Sequence, residues 1–588
     1  MDSNVHELAL GSQHANVPRT PVTRLRVTIT NGAATLEGPR RAVSADGRRM
    51  LVLDGEILNA RELGVELHAQ APDADSLLAA FLAWGPACFP RLIGSFACAV
   101  LDSSAGRLTL ARDHFGVKSL FHAHHGETLA FGSTIGVLLP GLPTRAVDPQ
   151  ALRDFLVDGL TDHSRHTLFA GIRAVPPGHY VTLDLARPEV PEPTAFWLPT
   201  LTDEVGLSFP MAAARCRELF DESVRRSRVG RAGATLSGGT DTSAIVMMLR
   251  HHLGPAAEIH TFSYIGEDGA VSEEPWIDII NQAAGAVPHK LRFHPDEWTA
   301  DFEDLVELQG EPFGTIAVSA QHRLYRAAAA AGENVLLGGG GADELLGGHL
   351  SARLASLLRR GSWIAAGRLA RRGPRVWPTL ARAAAMALPE RLSTFAAGVA
   401  QRRLRPWTNW SWLRNRGAAP APPWWIGDSG PRMLRGLLWR AVRRALPAVL
   451  RYEDRNAGTA GMSARFPFLT PALAEFVLSL PEAYLIADDG RGKAVLRAAL
   501  RGLVPDAVLD RRDKIGFSVP IQAWAQRLPA VADLLDAAQQ IPAVDPRGVA
   551  PLLAAIRTGR PLPLRESFVV WRLVGLAAWA RRFNVTFA

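Results

Sequence analysis

The chain has 588 residues, 47% of them hydrophobic and 21% charged. Those proportions exclude a disordered or fibrous chain, and the length suits about two to four domains. Lys and Arg number 65 against 57 Asp and Glu, a net charge of +8, which fits an anionic ligand such as a nucleotide without calling for nucleic acid.

The first 20 residues read as a polar, irregular tail with no apolar signal segment. From Val22 to Leu139 the pattern is β-rich. RLRVTIT alternates, RRMLVLDGEIL reads as a strand running into a turn at Asp54–Gly55, and SLLAAFLAWG has helical spacing. GSFACAVLDSSAGRLTLARD reads as two strands around a Ser-Ala-Gly turn, and SLFHAHHGETLAFGS as a hairpin turning at His125–Gly126. The reading is a compact α+β domain with antiparallel sheet over residues 21–195, closed by a connector with the helix PQALRDFLVDG and the Pro-rich PEVPEPTAFW.

The style changes after residue 195. PMAAARCRELFDESVRRSR is a helix with a charged face. GATLSGGTDTSAIVMMLRHHLG reads strand, Gly-rich turn, helix, and QHRLYRAAAAAGENVLLGGGGADELLGGH reads helix, strand, Gly-rich turn. Strands alternating with helices predict a largely parallel sheet covered on both faces, with ligands at the carboxyl ends of its strands. Residues 351–450 are rich in Arg, Ala, Leu and Trp and read as packed helices with basic outer faces. Residues 484–588 are helical again. WRLVGLAAWA is too short for a membrane span and is broken by arginine. Cys88, Cys98 and Cys216 are too few for a disulfide framework or a zinc site, and the expected compartment is the reducing cytoplasm.

Two loops carry the chemistry. A strand ending at Leu236 delivers Ser237, Gly238, Gly239, Thr240, Asp241, Thr242 and Ser243 to a helix N-terminus, where amides and hydroxyls can cradle an anion. There is no Gly-Lys-Ser/Thr, so this is not a Walker A loop. Asp241 beside such a cradle repels phosphate unless a cation intervenes, which makes it a Mg²⁺ ligand candidate. The second loop, Gly338 to Glu344, also follows an apolar strand. Gly339 and Gly340 let backbone approach a ligand, and Asp343 and Glu344 bring carboxylates. Together the two loops predict a site for ATP and Mg²⁺. Two further segments, 451–471 and 491–520, place basic residues at 493, 497, 511, 512 and 514 beside apolar positions.

These blocks resemble the asparagine synthetase B-type ATP pyrophosphatases. SGGTDTS matches the family's pyrophosphate loop and LGGGGADELLGG its second glycine loop. RYEDRN, RFPFL, KAVLR and RRDKIGF match its C-terminal blocks, and DGEILN, GSFACAV, RDHFGVKSL and TLFAGI match its glutaminase-like domain. The resemblance implies a glutaminase-like sandwich of the Ntn-hydrolase type over 21–195. It implies an α/β ATP-pyrophosphatase domain with added helices, like the adenine-nucleotide α-hydrolases, over 196–588. It assigns Lys514 to the transferring oxygens, Arg465 to a neighbouring carboxylate or phosphate with a purely structural salt bridge as its alternative, and Glu344 as a weaker catalytic choice. Leu236, Ser237, Gly238, Gly239, Asp241, Thr242, Ser243, Gly339 and Gly340 go to the nucleotide, and Asp241 and Asp343 to the metal.

Three departures shape the functional expectation. The chain starts Met-Asp-Ser where glutamine-hydrolysing members start with cysteine, and Asp54 replaces an asparagine; no glutaminase activity is expected. Gly340 stands where asparagine synthetases have glutamate and β-lactam synthetases tyrosine, which suggests room for a bulkier substrate. The chain is therefore closest in character to lasso peptide macrolactam synthetases, which adenylate an Asp or Glu side chain of a core peptide and close a ring on its α-amine. That reading brings a precursor peptide, a leader peptidase and a leader-recognition protein as partners, with no nucleic acid and no membrane span. The alternatives are an asparagine synthetase using free ammonia, a β-lactam-type or other small-molecule amide synthetase, and a non-catalytic scaffold.

Overall fold

The computed structural model describes residues 24–587 except 67–71, 200, 202–204, 267–271, 293–294, 373–375, 390–391, 393–394, 396–400, 422, 424–429, 431 and 513–524. The expected N-terminal tail and Lys514 lie outside the described residues.

Two antiparallel sheets form the N-terminal half. One has the strand order Ala33–Glu37, Arg26–Thr30, Thr128–Gly132, Phe121–His125, Ile172–Ala174. The other runs Thr194–Ala195, His179–Asp184, Arg107–Arg112, Gly94–Asp102, Arg49–Ile57, Arg40–Val43. The period-2 pattern sorts the side chains between faces. Val27, Ile29, Val52, Ala97, Ala99, Leu108, Leu110 and Phe131 share one core between the sheets. Leu51, Leu53 and Cys98 point the other way, onto Leu77 and Leu78 of the helix Asp73–Trp84. The result is a sandwich with a helix on its outer face, as the sequence predicts. Burial pushes the Cys88 thiol up to about 12, so this cysteine is core material.

The expected turn at Asp54–Gly55 does not form. The strand Arg49–Ile57 runs straight through, with Asp54 opposite Ala97 and Gly55 opposite Phe96. Gly55 is there for close approach: its φ is +122°, and a Cβ would meet the Ser95 carbonyl oxygen at 2.0 Å. An Asp-Gly pair marks a turn only where the flanking strands pair with each other; here the neighbouring strand is Gly94–Asp102, some 40 residues on.

The C-terminal half is built on a five-stranded sheet in the order Val287–Leu291, His260–Tyr264, Ala232–Thr235, Val335–Leu337, Ser463–Arg465. Every neighbouring pair is parallel. Counted along the chain, the order is third, second, first, fourth, fifth, a doubly wound arrangement whose direction reverses between the first and fourth strands. Helices Phe209–Ser227, Thr240–Leu253 and Ala317–Ala330 contribute buried side chains to the same core.

The 351–450 region is helical as expected, with Leu350–Arg359, Trp363–Arg372, Val376–Ala387, Trp410–Asn415 and Met433–Arg444. WRLVGLAAWA lies in the helix Leu564–Arg582, where Trp571, Leu573, Val574, Leu576 and Trp579 are all at most 2% exposed. A helix buried on nearly every side is apolar all round without being a membrane span. Among the described residues no helix is long and apolar enough to cross a membrane.

Candidate active site

Both sequence-predicted loops leave the sheet where the strand order reverses. Leu236–Ser243 follows the strand Ala232–Thr235, and Gly338–Glu344 follows its neighbour Val335–Leu337. At that point adjacent strands feed loops in opposite directions and open a crevice, which is why ligands bind there in this class of fold.

The loops touch. A Cβ on Gly339 would lie 3.1 Å from Thr242 Cγ2 and 3.4 Å from Asp241 Cβ, so any side chain there would force its neighbours to shift. Thr242 also braces its own loop. Its hydroxyl accepts from the Ser237 amide at 3.1 Å and lies 3.1 Å from Ser237 Oγ. Gly239 is the N-cap of the helix Thr240–Leu253, so the first free amides of that helix face the crevice. Leu236 is buried and its carbonyl accepts from Ser263 Oγ at 2.7 Å, which anchors the strand end. Ser243 is different from the rest of the predicted cradle. It is fully buried, its amide donates to the Gly239 carbonyl at 3.1 Å, and its hydroxyl has no partner. It supports the loop from beneath.

Asp241 and Asp343 converge on one cation, the ammonium of Lys493. Its Nζ lies 2.6 Å from each Asp241 carboxylate oxygen and 2.7 Å from Asp343 Oδ1. Burial alone would lower the Lys493 pKa, but the two carboxylates outweigh it and raise it. Lys493 sits at φ +58°, at the N-cap of the helix Ala494–Ala499, and its amide donates to the Gly347 carbonyl. An ammonium held by two hard carboxylates shows that the pair tolerates and favours a positive charge between the loops. Mg²⁺ is commonly held by one or two carboxylates plus substrate phosphates, so Asp241 and Asp343 fit such an ion once nucleotide phosphate is present. Among the described residues no group of three or more His, Cys, Asp or Glu side chains could hold a metal by itself. Lys493 was legible as one of several basic residues in the KAVLR block, with no role assigned; its 252-residue separation from Asp241 hid the pairing.

The other predicted residues fall elsewhere. Arg465 does not face the crevice. Its Nε and Nη2 donate to Glu56 Oε1 and Oε2 at 2.6 and 2.7 Å, and Nη1 donates to the carbonyls of Ser227 and Val229 at 2.7 and 2.6 Å. The planar fork is filled by a carboxylate from the N-terminal half, the structural salt bridge that stood as the alternative to a carboxylate or phosphate of the site. Glu344 lies at the start of the short helix Ala342–Leu346; burial, and secondarily Asp343, raise its carboxyl. Arg511 packs over the Trp276 ring and donates to the Gly238 carbonyl at 3.3 Å, so the RRDKIGF block does reach the pyrophosphate loop.

The RYEDRN block mostly joins the halves. Arg451 pairs with Asp162 at 2.9 Å, Asp454 with Lys118 at 2.6 Å, and Arg455 donates to the Ser133 carbonyl at 2.7 Å. Lys118 also pairs with Asp54 at 3.2 Å. Burial would raise the Asp54 carboxyl, but Lys118 and Arg24 hold it below the ordinary range.

Gly340 does not open space. A Cβ there would meet Phe466 Cδ1 at 2.9 Å and Glu453 Oε1 at 3.7 Å. The Phe466 ring, from the RFPFL block, fills the volume that a missing side chain was expected to leave. Sequence reading missed this because the ring comes from 126 positions further along the chain.

The Asparagine synthase family profile matches residues 215–581, and the Glutamine amidotransferase domain profile matches residues 19–197. The chain belongs to the asparagine synthase family. Asparagine synthetase (glutamine-hydrolyzing) 3 of Bacillus subtilis strain 168 is 25% identical over 486 residues, covering 79% of this chain and 74% of that protein. Asparagine synthetase (glutamine-hydrolyzing) 1 of the same organism is 25% identical over 527 residues, covering 81% and 76%. The amidotransferase match overturns the expectation that this asparagine synthase-family chain has no glutaminase activity. That expectation leaned on the first residues and on Asp54, two local differences set against a domain-length likeness.

Proposed function

We propose that the crevice catalyses ATP-dependent amidation of a small side-chain carboxylate, of the kind aspartate carries, releasing AMP and pyrophosphate. The observation that supports this most is the convergence of Asp241, Asp343 and Lys493 between two touching glycine loops at the reversal point of the sheet. A carboxylate oxygen of the substrate bonds to the α-phosphorus of ATP, and the bond to the β-phosphate breaks. The departing pyrophosphate is met by the amides of the first turn of the helix Thr240–Leu253 and by the Lys493 ammonium, which the loops already hold in place. Mg²⁺, when bound, supplies charge neutralisation on the phosphate oxygens. A nitrogen nucleophile then displaces AMP from the acyl carbon. Lys514 is assigned to the transferring oxygens on the RRDKIGF resemblance alone.

A peptide-cyclising role, with its leader peptidase and leader-recognition partner, is supported less well. Its steric argument was open space at Gly340, and Phe466 occupies that volume. The test incubates the protein with ATP, Mg²⁺ and aspartate, with glutamine or ammonium as nitrogen source. Asparagine, AMP and pyrophosphate in equal amounts are expected. Pyrophosphate release only with a peptide carboxylate would restore the cyclase reading, and none with any carboxylate would refute the reaction class. In the same assay Asp241→Ala abolishes pyrophosphate release; retained release would refute the cradle.

A further inference from the structure

The helices that follow the second glycine loop have no task in the reaction so far, and two of them turn an apolar face outward. The helix Leu350–Arg359 comes directly after that loop, and the helices Trp363–Arg372 and Val376–Ala387 pack on it. Their inner faces join the core. Ala366, Leu369 and Ala370 of the first and Ala383 and Met386 of the second lie in one cluster with Leu354 and Ala355 of the helix beneath. Their outer faces are unlike ordinary surface. Trp363, Ile364, Arg368 and Arg371 fall on one side of the first helix, and all are exposed. Trp377, Ala381, Ala384, Ala385 and Leu388 fall on one side of the second, and all are exposed as well. Trp363 is 68% exposed and Trp377 81%. Of the sixteen large apolar side chains exposed among the described residues, seven lie between 363 and 404. That is a concentration, where an ordinary surface shows such residues singly, and a concentration marks a place of contact.

Charge says what the contact is with. Residues 351–405 hold twelve arginines, no lysine and one acidic residue, Glu390. The whole chain carries +8, so without this segment it would be net negative. A second copy of the chain would bring more arginines to the same face, and like charges across an interface repel. A lipid surface of anionic headgroups attracts all of them at once. Trp and Arg suit that surface in shape too. An indole is apolar with a single N–H donor and rests at headgroup level. An arginine stem covers apolar surface while its guanidinium stays with the phosphates. Between Trp377 and Leu388 the outward side chains on that side are methyl groups, so the helix can lie flat. We propose that the outer faces of Trp363–Arg372 and Val376–Ala387 dock on a membrane surface of anionic lipid, lying in the headgroup plane without crossing it. The helix Leu350–Arg359 alone separates the docked face from the second glycine loop, so the crevice works beside the membrane. The docking does not depend on the reaction proposed above.

The test is flotation of the full-length protein with vesicles of equal parts phosphatidylglycerol and phosphatidylcholine, beside vesicles of phosphatidylcholine alone. The protein floats with the anionic vesicles only, and its binding weakens as salt rises, because the attraction is screened. Arg368→Gln combined with Arg371→Gln lowers the partition coefficient about 25-fold, at about fivefold for each arginine near an anionic surface. Trp363→Ser combined with Trp377→Ser lowers it about tenfold or more, through the apolar area of two rings left in water. All four side chains are exposed, so both double variants fold, and urea midpoints equal to the parent's check it. The inference is overturned if the parent binds neither kind of vesicle or both alike, or if either double variant binds as the parent does. It is also overturned if the parent ignores vesicles and instead forms a dimer that the tryptophan variant breaks, which makes the face an interface between copies. Retention of polyglutamate but not of vesicles through the same four residues overturns it in favour of an acidic protein partner.

Discussion

Lys493→Met removes the ammonium that lies between Asp241 and Asp343. At 2.6 Å and an effective dielectric near 20, each Lys–carboxylate contact carries about 6 kcal/mol of gross attraction before desolvation is charged against it. Removing one partner of a buried ion pair has a net cost of about 3–5 kcal/mol. Lys493 and Asp241 are 8% and 14% exposed at the side chain, but Asp343 is 54% exposed. Water screens that second contact, so the lower end, about 3 kcal/mol, is expected. The variant then has two carboxylates facing each other across the loops, and Mg²⁺ alone becomes a ligand for them. At a hundredfold excess over its Kd it should return about 2.7 kcal/mol. In the parent protein the ammonium already fills that place, so Mg²⁺ without nucleotide should change stability little. The assay is urea denaturation followed by tryptophan fluorescence, with and without Mg²⁺ at fixed ionic strength, reading the first transition because a chain with several cores need not unfold in one step. A variant as stable as the parent in both conditions would refute the reasoning, as would a parent that Mg²⁺ stabilises equally without nucleotide.

Three other expectations follow from the same geometry. Arg465→Met strands Glu56, which is 12% exposed, and should destabilise the protein by about 3–5 kcal/mol. Glu56→Gln should cost less, and a double-mutant cycle should show strong coupling; additive effects would refute the interdomain tie. Gly339→Ala pushes a methyl to 3.1 Å from Thr242 Cγ2, overpacking that costs about 1–3 kcal/mol; the KM for ATP should rise, and an unchanged KM would refute the loop contact. The Lys118–Asp54–Asp454 cluster sets a pH dependence. Asp54 is depressed in the folded protein, so its contribution is present above the ordinary carboxylate pKa of about 3.9 and is lost as pH falls through the folded value. Lys118 is raised, so its contribution is complete below about pH 10 and is lost only above that. Limited proteolysis between the halves should therefore accelerate below about pH 4 and stay flat from about pH 5 to 9. Asp54→Asn, which has no charge to lose, should show a weaker acid limb; an identical profile would refute the assignment.

By itself the sequence determined the elements and the two loops. Period-2 alternation in GSFACAV and RLTLA, the strand-to-glycine transitions at Leu236 and Leu337, and helical spacing after each loop are local signals. They act through the backbone and the nearest few side chains, so they survive in a one-dimensional reading. They were enough for antiparallel sheet ahead of a parallel one, and for Asp241 and Asp343 as the carboxylates of the two glycine loops. What only the tertiary structure decided involves residues far apart in the chain. Lys493 reaches Asp241 across 252 positions, Glu56 captures Arg465 across 409, and Phe466 and Glu453 take the space beside Gly340. The Asp54–Gly55 pair looked like a turn because its local chemistry is that of a turn; the strand Gly94–Asp102 beside it made it a point of close approach. Long side chains such as Arg and Lys have many reachable partners, and the sequence lists them all without ranking. Burial does the ranking, because each charge removed from water must be satisfied where it lands. That is why Arg465, matched by its block to the reacting end of the site, came to rest between the domains, and why Glu453, matched by its block but given no role, faces the glycine loop.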